Sequence, residues 1–198
     1  MTTTSILTLS LADFLNKSQI DESPAWEYIN GKMLQKPMPQ THHSRLQLKL
    51  ATTIELVAEP NQIALAFPEL RCTFGGRSIV PDIAVILWEK IPFNEVEEPE
   101  NSSFFSAPDW TIEILSPKQN STKVIDNILY CLQHGSKLGW LIDPDERSIL
   151  VFQPNQTPTI YRSDLLETET EQKTLPILDK INLDLTADKI FSWLKIKH

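Results

Sequence analysis

The sequence predicts an α/β (α+β) fold, and three observations lead to that prediction. Amphipathic helical patterns alternate along the chain with short apolar segments that are typical of buried strands. The pair Asn30-Gly31 lies between two strand-like segments, as in a tight hairpin. With 198 residues the chain can bury a large core without disulfides or structural metal, so we expect a single domain over residues 1–198.

The first sixty residues are expected to form a helix, a hairpin and a longer helix. Ser10, followed three residues later by Asp13, is an N-cap signature that predicts a short helix over residues 11–16. The segments 26–29 and 32–35 flank Asn30-Gly31 and form the hairpin strands. After a turn that holds His42 and His43, apolar residues recur at helical spacing over residues 44–60.

Most of the strands are expected in the middle of the chain. Apolar segments predict strands at residues 63–67, 70–74, 80–88, 110–115, 138–142 and 148–152, with an edge strand near Thr159. Gly75-Gly76 marks a turn before the third of these. A helix lined by Val124 and Ile128 is predicted to end near Gly135, and a last helix over residues 187–194 to be capped by Thr186.

The charge of the chain weighs against strong non-specific binding to nucleic acid. The formal net charge is −8, whereas affinity for the phosphate backbone comes mainly from Lys and Arg. Bound divalent cations, or basic residues gathered on one face, would reduce this objection. Much of the acidity also falls in residues 94–100 and 167–171, which are interpreted as solvated loops.

The cysteines and the apolar runs indicate a cytoplasmic protein. Cys72 and Cys131 have no metal-ligand spacing and lie in apolar surroundings, so both are expected to be reduced core residues. The N-terminus lacks a signal-peptide pattern, and no apolar run approaches the roughly 20 residues of a membrane-spanning helix. No membrane partner is therefore expected.

Two acidic residues in strand-like segments are the most informative feature for function. Asp82 lies in the segment Ser78-Ile-Val-Pro-Asp-Ile-Ala-Val-Ile86, and Glu113 lies in Trp110-Thr-Ile-Glu-Ile-Leu115. A buried carboxylate must be paired, hydrogen-bonded or bound to a cation. The pair therefore suggests a divalent metal site. Alternatively, Asp82 could bond nearby backbone amides in a turn, and Glu113 could pair with Arg71 or Arg77.

Several motifs, taken in order, resemble the Uma2 or DUF820 family of the PD-(D/E)XK nuclease superfamily, which is expanded in cyanobacteria. They are Leu11-Ala-Asp-Phe-Leu, Trp26-Glu-Tyr-Ile-Asn-Gly-Lys, His43, Val80-Pro-Asp-Ile-Ala-Val, Ile112-Glu-Ile-Leu-Ser-Pro and Gly139-Trp-Leu-Ile-Asp-Pro. The resemblance implies a restriction endonuclease-like core, a central mixed β-sheet flanked by helices, with an N-terminal helix and β-hairpin. It also implies that Asp82 and Glu113 hold Mg²⁺ or Mn²⁺, which activates a water for phosphodiester hydrolysis.

One residue departs from the pattern of that superfamily. A lysine is usual two positions after the Glu, but here Leu115 occupies that place. Lys123, in the first turn of the following helix and on the same face as Asn127, is the candidate for a migrated lysine; Lys118 is a second. Lys123 could instead be an ordinary solvated residue of an amphipathic helix.

Glu27 and His43 complete the set of candidate site residues. The superfamily often adds an N-terminal carboxylate to the metal site, which makes Glu27 a helper, although strand alternation could equally turn it to solvent. His43 could contact a phosphate or hydrogen-bond a site carboxylate, or serve as a capping or surface residue. The carboxylates of residues 143–147 are interpreted as turn chemistry, and Trp140 and Tyr130 as core aromatics.

The resulting expectation is a Mg²⁺- or Mn²⁺-dependent endonuclease that acts on DNA. Asp82 and Glu113 are the metal ligands, Lys123 positions the nucleophile, and Glu27 assists. The alternative is a nuclease-derived binding or assembly module that does not cleave, which the absent lysine and the acidic surface both favour. An enzyme acting on RNA or branched DNA would have the same metal site, and the resemblance further implies a homodimer.

Overall fold

The structure of the protein is a computed structural model that describes residues 9–100, 103–117, 119–163 and 173–196. Four α-helices are described: α1 (Leu11–Leu15), α2 (Thr41–Ala58), α3 (Ser121–Gln133) and α4 (Ala187–Ser192). Short 3-10 helices cover Ser18–Asp21 and Trp88–Lys90. The strands are β1 (Trp26–Ile29), β2 (Lys32–Gln35), β3 (Ala64–Pro68), β4 (Cys72–Phe74), β5 (Arg77–Ile79), β6 (Ile83–Leu87), β7 (Trp110–Ile114), β8 (Leu138–Asp143), β9 (Ser148–Phe152) and β10 (Thr159–Arg162).

The strands form two sheets, and the larger one is mixed. Its order is β10-β9-β8-β7-β6-β3, in which only the β7–β8 pair is parallel. A parallel neighbour requires a crossover connection, and α3 supplies it between β7 and β8. The smaller sheet has the order β2-β1-β5-β4, with the N-terminal hairpin at one edge. The predicted fold class, a mixed sheet flanked by helices with an N-terminal helix and hairpin, is confirmed.

Helices cover both faces of the larger sheet. On one face α2 and α4 pack against inward residues of β6, β7 and β8, around Trp110 and Trp140, whose rings meet edge to face at 4.6 Å between centroids. On the other face α3 contributes Val124 and Ile128 to a cluster with Leu141. Helix α3 approaches the sheet closely at Gly139, because a Cβ there would lie 2.4 Å from Cγ2 of Ile128.

Local sequence signals account for several elements. The Ser10 side chain accepts a hydrogen bond from the Asp13 amide and caps α1, as predicted. Asn30 and Gly31 both have positive φ, of 52° and 77°, which the tight turn between β1 and β2 requires. At the C-terminal end, Thr186 caps α4 and β10 is an edge strand, both as expected.

Two predicted elements are placed differently by the structure. The strand expected over residues 80–88 is shorter: β6 of the larger sheet covers only Ile83–Leu87, and Trp88 starts a 3-10 helix. A separate strand that was not predicted, β5 of the smaller sheet, ends at Ile79, and a break follows it. Pro81, which has no amide hydrogen, lies in the break. Asp82 is therefore at the entrance to β6 rather than inside a strand.

The second correction concerns α2, which begins at Thr41 rather than at Ser44. His42 and His43 belong to its first turn instead of a preceding turn. Helix boundaries are often missed in this way, because the first turn carries little apolar periodicity. The shift matters for the site, since a helical position directs the side chain of His43 towards the core, where it is 5% exposed.

The remaining sequence predictions are mostly confirmed. Cys72 and Cys131 are free and buried, and residues 94–100 form a largely exposed loop. The acidic segment 167–171 lies outside the described residues. Among the helices in the described part of the chain, none combines the length and apolar character that a bilayer-spanning helix requires.

Candidate active site

Strand pairing brings Asp82 and Glu113 together. Strands β6 and β7 are antiparallel, with Ile83 opposite Ile112, so the residue before Ile83 faces the residue after Ile112. The Asp82 carboxylate reaches across the pair, and its Oδ2 accepts a 2.7 Å hydrogen bond from the amide of Ile114. Asp82 and Glu113 are 2% and 4% exposed. Two carboxylates thus lie side by side in the interior, at the end of the larger sheet near the hairpin.

The cation between them is Lys36, a residue that sequence reasoning missed. Lys36 follows β2 directly, and its Nζ lies 2.7 Å from Oδ1 of Asp82 and 3.5 Å from Oε2 of Glu113. The same ammonium group donates a 2.6 Å hydrogen bond to the carbonyl of Val80. A lysine from the hairpin therefore lies beside the two carboxylates.

Leu115 itself has an apolar role. It packs against the cluster beneath α3 that includes Leu141 and Phe152. Strand β7 ends one residue earlier, and the amide of Leu115 donates to the carbonyl of Ile142. The position two residues after Glu113 is therefore committed to packing between the sheet and α3.

His43 contacts the carboxylate oxygen of Asp82 that Lys36 does not. Its Nε2 lies 3.0 Å from Oδ2 of Asp82, while its Nδ1 is buried without a hydrogen-bond partner among the described residues. Gln47, one turn further along α2, donates a 2.8 Å hydrogen bond to the Asp82 carbonyl. Of the two interpretations of His43, the contact with a site carboxylate agrees with this geometry, and exposure on the surface does not.

Glu27 faces the interior rather than solvent. It is 8% exposed, and its Oε1 accepts a 2.9 Å hydrogen bond from the amide of Val80. The side-chain amide of Asn127, on α3, also hydrogen-bonds to it. Glu27 is close enough to Lys36 and Asp82 for their charges to shift its pKa, so it is a third carboxylate of the cluster.

Burial and charge act in opposite directions on these groups. Burial alone would raise the pKa of Asp82, but the Lys36 ammonium and the hydrogen bond from His43 outweigh it and hold that pKa below its usual range. Burial raises the pKa of Glu113 well above its usual value, and Lys36 offsets this only in part because Asp82 and Glu27 repel a further negative charge. The pKa of Glu27 is also raised, chiefly by burial.

Lys36 stays charged in this environment. Burial disfavours the ammonium, yet the combined charges of Asp82, Glu113 and Glu27 raise the pKa of Lys36 above its usual value. Three carboxylates thus share one ammonium group. A further cation would favour ionisation of Glu113 and Glu27, whose pKa values burial raises.

The donor set fits a hard divalent ion. Among the described residues no group of three or more His, Cys, Asp and Glu side chains could hold a metal ion, so protein ligands alone would not complete a coordination sphere. Mg²⁺ typically binds one or two carboxylates and keeps several waters. Asp82 and Glu113 are two such carboxylates. They lie close together, since each has an oxygen within 3.5 Å of Nζ of Lys36.

A cavity of about 420 Å³ leads to this cluster between the hairpin and the start of α3. It is lined by Glu27, Ile29, Leu34, Gln35, Lys36, Pro37, Glu113, Gln119, Asn120, Lys123, Val124 and Asn127. Lys123 is exposed on this wall, and no hydrogen bond or ion pair joins its side chain to another described residue. Lys118, the second candidate lysine, lies outside the described residues.

Glu113 pairs with a cation, as one alternative expected, but the cation is Lys36 and not an arginine. Arg71 pairs with Asp21 and Arg77 with Asp126, so neither arginine is the partner of Glu113. Asp82 does not bond amides of its own turn, because its oxygens are engaged by Lys36, His43 and Ile114.

Of three other predictions made against a catalytic role, two agree with the structure and the third agrees in part. Asp143 accepts hydrogen bonds from the amides of Asp145 and Glu146, as a turn residue does. Trp140 is fully buried. Tyr130 is partly exposed and so is not the core residue that was expected, but its ring packs under the guanidinium of Arg77, 3.9 Å from the ring centroid.

Comparisons with known proteins agree with this description. The model of the Uma2 family, described as "Putative restriction endonuclease", matches residues 11–186. The crystal structure of a putative nuclease belonging to DUF820 from Anabaena variabilis is similar over 94% of this chain and 99% of that one, with 46% identity and a TM-score of 0.86. No curated protein matches the sequence.

Proposed function

The chain belongs to the Uma2 family, and from this membership and the geometry of the site we propose that it is a divalent-metal-dependent endonuclease that hydrolyses phosphodiester bonds in DNA. Restriction endonuclease-like nucleases generally use divalent metals. The observation that carries the proposal is the placement of Lys36 Nζ within 3.5 Å of both buried carboxylates, Asp82 and Glu113. A carboxylate pair and a lysine are the groups that such hydrolysis needs.

Asp82 and Glu113 would hold the ion, Mg²⁺ or Mn²⁺. When bound, such an ion polarises the scissile phosphate and lowers the pKa of a coordinated water. Asp82 is suited to ligation because its lowered pKa keeps it ionised at neutral pH. Glu113, whose pKa is raised, would ligate as the carboxylate once a second positive charge compensates its burial.

Lys36 would supply the function of the absent strand lysine. Its ammonium group lies beside both carboxylates and remains protonated, so it can hold the attacking water or hydrogen-bond the phosphate oxygens as negative charge develops. Lys123, expected from the sequence to position the nucleophile, lies on the cavity wall beside the same cluster. We assign Lys123 to contact with a substrate phosphate near the mouth and Lys36 to the reacting centre.

Two further side chains would fix the geometry. His43 donates from Nε2 to Asp82, which orients the carboxylate and leaves Oδ1 directed towards Lys36. Glu27 anchors the β5–β6 connection through the Val80 amide and adds negative charge near the ion. We place both as positioning groups of the site.

A non-catalytic binding or assembly module is the second candidate function, and one observation favours it. The Lys36 ammonium already compensates part of the carboxylate charge, so the cluster could be a purely structural ion pair. The formal net charge of −8 also reduces affinity for DNA in the absence of a bound cation. This candidate predicts a folded protein that neither binds divalent ions nor cleaves.

Nicking of supercoiled plasmid in Mg²⁺ or Mn²⁺ tests the proposal. Wild-type protein should convert supercoiled to open-circular DNA, and Asp82→Asn should lower the rate at least about 100-fold. Asp109→Asn is the matched control: Asp109 is a buried Asp that also pairs with a lysine and a backbone amide, away from the site. Cleavage retained in Asp82→Asn, or equal loss in Asp109→Asn, would contradict the proposal.

We also propose a homodimer, which would allow two sites to address two strands. Sedimentation equilibrium at micromolar concentration would test it. A mass near 45 kDa is expected from the 22.6 kDa chain. A mass that stays at the monomer value would contradict it.

A further inference from the structure

The cavity beside the carboxylates has a buried polar atom without a partner. Asn127 lines the cavity and is 7% exposed, and its Oδ1 accepts no hydrogen bond from a described residue. Its amide group is already used by Glu27. An unpaired buried carbonyl costs free energy, which a ligand that donates a hydrogen bond there would recover.

The side chains around this atom are rich in amides. Gln35 on the hairpin wall, with Gln119 and Asn120 before α3, line the same cavity as Asn127. Each of the first three has one group bonded within the protein, to Pro24, Ser116 and Thr122 respectively. The carbonyl of Gln35 and the NH₂ groups of Gln119 and Asn120 are left to bond a base edge. Among the described residues that line the cavity none is aromatic, so hydrogen bonding rather than stacking would recognise a base.

The depth of the site restricts what can reach it. Asp82 and Glu113 are 2% and 4% exposed, and the cavity in front of Glu113 has a volume of about 420 Å³. This is the size of a small-ligand pocket, which admits a single nucleotide but not a base-paired helix. A base can enter this cavity only if its nucleotide leaves the stack, as in enzymes that act on extruded bases.

From these observations we propose that the site takes single-stranded DNA, with one unpaired nucleotide inserted between the hairpin and α3 and its base donating a hydrogen bond to Oδ1 of Asn127. The proposal deepens the proposed nuclease function and rests on it. Lys123, exposed on the α3 wall, would contact an adjacent phosphate. Unpaired strands, flaps, bulges and the locally unpaired regions of supercoiled plasmid would then be substrates, and relaxed, fully paired duplex would not.

Cleavage of three labelled substrates tests the substrate class: a 30-mer single strand, the same strand in a blunt duplex, and that duplex with a three-nucleotide bulge. In Mn²⁺ the single strand and the bulge should be cut at least about 10-fold faster than the blunt duplex. Blunt duplex cut as fast as the single strand would overturn the inference while leaving the nuclease proposal intact.

Binding measured by fluorescence anisotropy in EDTA separates the two proposals. The single strand should bind more tightly than the duplex, and Lys123→Ala should weaken that binding while Lys49→Ala, an exposed lysine on α2, should not. Preferential single-strand binding without cleavage would support this inference and overturn the nuclease function. No binding and no cleavage of any of the three substrates would overturn both.

An abasic substitution tests the role of Asn127. A series of short oligonucleotides carries one abasic position each, at successive places along the strand. At one of these places the loss of the base should weaken binding to wild type about 5- to 10-fold, relative to the intact oligonucleotide. The same loss should not weaken binding to Asn127→Ala. Equal losses in both proteins would overturn the assignment to Asn127. If Asn127→Ala does not fold, Gln35→Ala, on the opposite wall, provides the same comparison for the cavity as a whole.

Discussion

The Nζ atom of Lys36 lies 2.7 Å from Oδ1 of Asp82, although the two residues are 46 positions apart in the sequence. The hairpin strand β2 ends immediately before Lys36, and the break between β5 and β6 ends at Asp82. The smaller sheet therefore provides the cation and Glu27, and strands β6 and β7 of the larger sheet position Asp82 and Glu113. The proposed function depends on this contact between the two sheets.

Replacement of Lys36 should separate its role from that of Lys123. Lys36→Met should lower the cleavage rate about 100- to 10,000-fold, because the ammonium beside both carboxylates is lost. Lys123→Ala should lower it less, since that side chain bonds no other described residue. Plasmid-nicking rates of the two purified variants provide the measurement.

The control for this comparison is metal affinity. In Lys36→Met no ammonium group competes with Mn²⁺ for Asp82 and Glu113. This variant should therefore bind Mn²⁺ at least as tightly as wild type. Lys36→Met that folds, binds Mn²⁺ and cleaves normally would show that Lys123 or another group is the required lysine.

Glu113 should make stability depend on pH in metal-free protein. In the folded state its pKa is well above the usual 4.5. At a pH between 4.5 and the folded pKa, the folded protein therefore binds one more proton than the unfolded chain. This contribution to stability is complete below pH 4.5 and is lost as pH rises through the folded pKa. Relative to Glu113→Gln, wild type should therefore lose stability from about pH 4.5 upwards.

Urea denaturation in EDTA between pH 4 and pH 9 measures this difference. The gap in the free energy of unfolding between Glu113→Gln and wild type should widen with pH and then level off. Parallel curves would show that Glu113 does not have a raised pKa in the folded protein.

Gly139 should tolerate no side chain, because α3 lies too close to the sheet. A Cβ at this position would be 2.4 Å from Cγ2 of Ile128, so Gly139→Ala should cost about 1–3 kcal/mol of unfolding free energy. Ile128→Leu removes that Cγ2, and the double variant should recover part of the loss. If the losses of unfolding free energy in the two single variants simply add in the double variant, the α3–β8 contact is not the cause of the destabilisation by Gly139→Ala.

Cys131 should resist alkylation in the folded protein. Burial raises the pKa of its thiol to about 12, so at pH 8 almost none is present as the reactive thiolate. Iodoacetamide labelling should be about 1,000-fold slower than in 6 M urea. Rapid labelling of the native protein at Cys131, located by peptide mass analysis, would contradict the buried placement.

Local signals in the sequence predicted most of the fold. The cap at Ser10, the turn at Asn30-Gly31 and the apolar spacing of α2 and α3 each depend on neighbouring residues, and each is found as expected. The start of β6 after Pro81 rather than at Val80 could have been expected as well, because proline cannot donate to a sheet ladder.

The candidate site was only partly predictable. Asp82 and Glu113 attract attention as acids in apolar segments, but a lysine such as Lys36 in Gln35-Lys36-Pro37 resembles any exposed hairpin residue. Its direction depends on how the smaller sheet packs against the larger one, a long-range relation that no local pattern encodes. The absence of a lysine at Leu115 was the available signal, and it pointed to α3 only because that element is next in the chain.

Calorimetric titration of Mn²⁺ into the metal-free protein distinguishes a metal site at Asp82 and Glu113 from a purely structural ion pair. Wild type and Asp109→Asn should bind Mn²⁺, and Asp82→Asn should bind it at least about 100-fold more weakly, because a ligand carboxylate is then replaced by an amide. No binding by wild type, or equal binding by Asp82→Asn, would contradict a metal site at Asp82 and Glu113.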